Sequence, residues 1–141
     1  MRIATWNVER LKHHKDLKSL LQCCEEARAD ILVLTETDCR MKPPYRYCYD
    51  TPPLTEVQPD YAYKETKNRV SIYTNYPCIR QYQTYDDHTA ICVELETEEG
   101  SLLVYGTIMG VSGNRRSSFK EDVVKQKGTS KYSCPNGKRT N

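Results

Sequence analysis

Thr5-Trp6-Asn7-Val8-Glu9 and Ile31-Leu32-Val33-Leu34-Thr35-Glu36-Thr37-Asp38 are the two stretches whose reading decides the fold. From Arg2 to Asn7 the side chains alternate, with Ile3, Thr5 and Asn7 on one face, so this segment reads as a first strand. Ile31 to Thr35 is apolar and rich in β-branched residues, the pattern of a strand covered on both faces. Between them Leu17, Leu20, Leu21, Cys24 and Ala27 recur at offsets of three and four, which predicts an amphipathic helix from about Lys15 to Arg28. Strand, helix and strand over so short a span form a βαβ unit with parallel strands and a right-handed crossover. Asn7 and Glu36 then fall at the same end of one sheet.

Downstream the texture changes. Residues 39–60 hold Pro43, Pro44, Pro52, Pro53 and Pro59 among Tyr45, Tyr47 and Tyr49, which predicts a long surface loop without regular structure. Five strands are expected after it: Tyr61 to Lys64, Arg69 to Thr74, Cys78 to Thr84, Thr89 to Glu96 and Leu102 to Met109. Glu98-Glu99-Gly100-Ser101 is the turn between the last two. A βαβ start followed by an antiparallel meander predicts an α/β sandwich. Arg116 to Lys127 has helical character, and residues 128–141 read as a polar, basic, disordered tail.

At 141 residues the chain suits one domain, and its apolar stretches fall well below the roughly 20 residues of a membrane span. It reads as soluble and cytoplasmic, with no membrane partner. Its seven cysteines are an odd number, and none sits at zinc-like spacing with His13, His14 or His88, so reduced structural thiols are expected. The net charge of +2 is uneven: five of the 21 basic residues lie in 123–141, leaving 16 against 19 acids in 1–122, a net of −3. Such a body is no broad basic platform for nucleic acid.

Four motifs in order resemble the endonuclease/exonuclease/phosphatase superfamily, which includes exonuclease III-like and DNase I-like phosphodiesterases. They are the Trp6-Asn7-Val8 strand end, the Thr35-Glu36 strand end, Val70-Ser71-Ile72-Tyr73-Thr74-Asn75-Tyr76-Pro77, and Leu102-Leu103-Val104-Tyr105-Gly106-Thr107. The resemblance implies part of a four-layer, DNase I-like α/β sandwich, covering 1–122 as an incomplete domain, with 123–141 as a helix end and tail. It implies phosphoester hydrolysis on a phosphate-ester substrate, with nucleic acid among the candidates, and Mg²⁺ or Mn²⁺ as the cofactor. Glu36 would be the metal ligand and Asn7 its companion in the metal and phosphate site, both of them catalytic. Asn68 and Arg69, before the strand that ends at Tyr76-Pro77, are candidates for phosphate contact.

The departures bear on activity. Ile108 stands where many members place His or Tyr, and neither an Asp-x-Asn motif nor a Ser-Asp-His motif occurs in the chain. Asp86-Asp87-His88 imitates the latter in composition, yet two expected strands and a helix follow it, so it reads as a surface turn. The expectation is therefore a truncated hydrolase domain or, alternatively, an inactive remnant that at most binds metal or a protein partner. Without a second half the sheet would lie uncovered and favour self-association. Trp6 is expected in the core beside the site, and Tyr45, Tyr47 and Tyr49 form a candidate substrate-facing rim.

Overall fold

The computed structural model describes residues 1–11, 16–57, 65–109 and 123–124. Its first unit is the expected βαβ: β1 (Ile3–Asn7), α1 (Leu17–Glu26) and β2 (Ile31–Asp38), with β1 and β2 parallel and Asn7 paired with Thr35. Asp16 sets the start of α1, its carboxylate accepting from the backbone N–H of Lys18 at 3.2 Å and Ser19 at 3.1 Å. Those bonds satisfy donors that the first helical turn leaves open. They hold the Asp16 carboxyl below its ordinary pKa, the Ser19 hydroxyl bond leading and the two backbone bonds adding to it. Arg28, with φ 46, turns the chain out of the helix.

Residues 39–57 are not the structureless loop that their prolines suggest. Tyr47–Asp50 forms β3 and Leu54–Val57 a one-turn helix, α2. Pro43 and Pro44 precede the strand and Pro52 and Pro53 follow it, so the prolines bracket a proline-free segment. β3 pairs with a single neighbour and is an edge strand, and the prolines beside it remove no ladder bond. Pro53 stands at the entry of α2, where a missing N–H costs nothing.

β4 (Lys67–Thr74) runs antiparallel to both β2 and β3, giving a mixed sheet of order β1-β2-β4-β3. The chain then turns at Asn75-Tyr76-Pro77 into a second, antiparallel sheet of β5 (Cys78–Tyr82), β6 (Ala90–Thr97) and β7 (Gly100–Thr107), in that order. The expected meander thus divides between two sheets. The strand expected at Tyr61 to Lys64, most of the helix at Arg116 to Lys127 and the tail lie outside the described residues.

Alternation along β2 explains the layers. Leu32 and Leu34 join Leu20, Cys24 and Tyr73 in a core against α1, while Ile31, Val70 and Ile72 pack on Ile91, Val93, Leu95 and Val104 of the second sheet. Gly106 lets the sheets close: a Cβ there would lie 2.8 Å from Val70 Cγ1 and 3.3 Å from Val33 Cγ1. β1 edges the first sheet and β7 edges the second. Trp6, on that edge strand, is 37% exposed and so is not the core residue expected. Among the described residues no helix is long and apolar enough to cross a membrane.

Candidate functional site

The parallel pairing of β1 and β2 delivers the two principal candidates to one sheet end. Val8 N–H donates to Thr35 C=O at 3.0 Å, closing the ladder one residue beyond Asn7. The Asn7 side chain then turns onto its own backbone, Oδ1 accepting from Glu9 N–H at 2.9 Å. Glu9, Arg10 and Leu11 follow in left-handed backbone, with φ 50, 52 and 56. Such a run costs about 1–2 kcal/mol per residue for side-chain-bearing residues. Its product is a tight reversal that returns Arg10 over the end of β2.

There the Arg10 guanidinium meets Glu36, Nη2 to Oε2 3.2 Å, with the two side chains 11% and 25% exposed. Glu36 itself has φ 51 and interrupts the β2–β4 ladder between the pairs Thr35↔Val70 and Thr37↔Asn68. That register sets Arg69 across from Glu36. The Arg69 N–H donates to Thr51 Oγ1 at 3.1 Å, and its buried Nε has no hydrogen-bond partner among the described residues.

Asn68 lies buried and engaged. Its Oδ1 accepts from Thr37 Oγ1 at 2.9 Å and its Nδ2 donates to Ser71 Oγ at 3.4 Å. Thr37 and Ser71 share a hydrogen bond of 2.9 Å, and Ser71 Oγ also donates to Asp50. This network ties β2, β3 and β4 together beneath the Glu36 corner. Beside it, Asp38 is fully buried and held bidentately by Arg40, with Nε to Oδ1 2.8 Å and Nη2 to Oδ2 2.7 Å. Burial pushes the Asp38 pKa up, but the Arg40 hydrogen bonds and charge, aided by Thr66, outweigh it and hold the carboxyl below its ordinary value.

The sequence reading missed Arg10 and Glu9. Glu9 sets a second acid at the β1 end, and the only signal for the pair was the charge run directly after Val8. Asp86 and Asp87 do form a turn: Asp87 Oδ1 accepts from Thr84 N–H at 2.6 Å and Asp86 Oδ1 from His88 N–H at 3.2 Å. The tyrosine rim separates. Tyr45 donates to Ala29 C=O at 2.9 Å and packs toward α1, whereas Tyr49 packs between the sheets.

A divalent cation of the Mg²⁺ or Mn²⁺ kind takes oxygen ligands and can be held by one or two carboxylates with waters, provided those carboxylates are open to it. Here the Glu36 carboxylate faces a guanidinium, the Asn7 oxygen is taken by a backbone N–H, and among the described residues no three His, Cys, Asp or Glu gather into a metal cluster. In this arrangement the donors do not fit such a cation.

No family model and no curated protein matches the chain. Solved structures do. The endonuclease domain of TRAS1, a telomere-specific non-LTR retrotransposon, superposes with a TM-score of 0.64 at 13% identity, over 95% of this chain and 55% of that one. An endonuclease/exonuclease/phosphatase from Beutenbergia cavernae DSM 12333 gives 0.57 at 15% identity, over 89% and 42%. A family protein from Leptotrichia buccalis C-1013-b gives 0.54 at 12% identity, over 88% and 60%. The chain spans about half the length of these structures. With two stacked sheets, a βαβ entry and this likeness, the chain has the endonuclease/exonuclease/phosphatase, or DNase I-like, fold.

Proposed function

We propose that the chain is the first half of a phosphoester-hydrolase domain of the endonuclease/exonuclease/phosphatase type, and that these 141 residues do not hydrolyse phosphoesters by themselves. The observation that carries this reading is the ion pair between Arg10 and Glu36, which engages the acid that the sequence resemblance singles out for chemistry. Hydrolysis of a phosphodiester needs a base for water and donors for the developing charge. At Glu36 the described residues set the Arg10 guanidinium on the carboxylate, so the acid that would serve that chemistry is engaged. The substrate class is a phosphate ester, and nucleic acid is the choice favoured by the retrotransposon endonuclease domain among the similar structures.

The test is turnover of bis(p-nitrophenyl) phosphate and supercoiled plasmid with Mg²⁺ or Mn²⁺, comparing the chain with Glu36→Gln. No difference between the two is expected. Metal-dependent turnover that Glu36→Gln abolishes would sink the reading.

Self-association belongs to the same proposal. Ile3 on β1 is 55% exposed, and Leu103 and Tyr105 are exposed on β7, so both strands, each at a sheet edge among the described residues, present apolar side chains. An unpaired, apolar edge is a template for further pairing. Sedimentation velocity should reveal dimers or larger species at micromolar concentration; a monodisperse monomer would contradict this part.

A further inference from the structure

We infer that Arg10 is a built-in cation at Glu36, holding the position at which this fold would otherwise take a metal, so that the chain is closed to divalent cations until that guanidinium is withdrawn. The inference deepens the proposed function at the same corner and rests on Glu36 being its acid.

Three observations converge on it. The ion pair is close, 3.2 Å, and both side chains are largely withdrawn from water. A guanidinium is a permanent cation in proteins and donates in a fixed fork that suits a carboxylate. The backbone is committed to the contact: Arg10 and Glu36 both hold left-handed φ values, 52 and 51, although neither is a glycine. A left-handed turn of side-chain-bearing residues persists only where its surroundings enforce it. Here the turn is fastened by Asn7 Oδ1 on Glu9 N–H and by Leu11 N–H on Val8 C=O at 3.2 Å. It carries the guanidinium directly onto the carboxylate.

Arg69 strengthens the exclusion. The ladder sets it across from Glu36, a second basic residue at the same register position. A hard cation entering that corner meets like charge, and its first ligand is already engaged. Tethering also favours the internal partner, because Arg10 reaches Glu36 without the entropy lost when a free ion is captured.

The test measures Mn²⁺ binding to the full chain by the loss of the free-ion paramagnetic resonance signal. Arg10→Gly is the first variant, since glycine accepts φ 52 without penalty and the turn is retained. Arg10→Gln is the second, keeping length while removing charge. Both are expected to bind Mn²⁺ at least tenfold more tightly than the parent chain, and the gain should vanish when Glu36→Gln is added. Unchanged binding in both variants would overturn the inference, as would parent binding that is equally tight and lost in Glu36→Gln. Turnover is read separately. Gained Mn²⁺ binding without turnover leaves both proposals standing, whereas an inert parent whose Arg10 variants gain nothing defeats this one alone.

Discussion

Arg10 Nη2 lies 3.2 Å from Glu36 Oε2, and the two residues reach each other from left-handed backbone at the ends of neighbouring parallel strands. The pair is asymmetric, because the Arg10 side chain is more deeply withdrawn from water than that of Glu36. Removing Glu36 takes a charged partner from a side chain withdrawn from water, while removing Arg10 leaves a carboxylate that water can reach. Glu36→Gln should cost about 1–3 kcal/mol of unfolding free energy. Arg10→Gly, which also relieves a strained φ, should stay within about 1 kcal/mol of the parent. Urea unfolding of the two variants checks the ordering.

Asp38 and Arg40 are asymmetric in the opposite sense. Asp38 is fully buried, whereas the Arg40 side chain is half exposed. Arg40→Ala leaves a buried carboxylate with only part of its hydrogen bonds and should cost about 3 kcal/mol, more than Asp38→Asn, whose orphaned guanidinium can hydrate. The folded-state pKa of Asp38 is depressed, so its stabilisation is complete above the unfolded value of about 3.9 and is lost as pH falls through the folded value below it. The stability gap between the parent and Arg40→Ala should accordingly narrow in acid, measured as urea midpoints from pH 7 down to pH 3.

Gly106 is a packing glycine with ordinary backbone. A methyl there meets Val70 Cγ1 at 2.8 Å, and valine cannot swing aside as a longer side chain does. Gly106→Ala should destabilise by about 1–3 kcal/mol through overpacking between the sheets. Combining it with Val70→Ala should recover part of that loss, a coupling that a double-mutant cycle reads directly. Additive losses would show that the clash is relieved elsewhere.

Cys48 will be the slow thiol of Cys23, Cys39 and Cys48. Its pKa is pushed up to about 12, by burial first and then by the Asp50 charge, and its Sγ donates to both Asp50 oxygens at 3.4 Å. Thiolate is the reactive form, so iodoacetamide at pH 8 should modify Cys23 and Cys39 well before Cys48. Asp50→Asn should accelerate Cys48 by removing the adjacent charge. Peptide mapping over a time course distinguishes the three sites.

The sequence by itself determined the entry to this fold. Apolar spacing in residues 17–27 and the continuous run of 31–35 are local properties with a fixed period, and they gave α1, β2 and the parallel pairing that brings Asn7 and Glu36 to one sheet end. The hairpin of β6 and β7 was legible for the same reason, although its turn is Glu98 and Glu99 alone, with Gly100 and Ser101 already paired in β7. Proline density misled over β3, because position relative to an edge strand, and not proline count, decides what proline forbids. Trp6 misled because exposure depends on whether β1 has a neighbour on its outer side. Only the tertiary structure decided how the strands divide between two sheets, since pairing partners are set by contacts between residues far apart in the chain. It alone decided the state of the site as well: a left-handed turn at Glu9–Leu11 leaves no periodic trace in sequence, yet it lays a guanidinium on the one acid that the motif singled out.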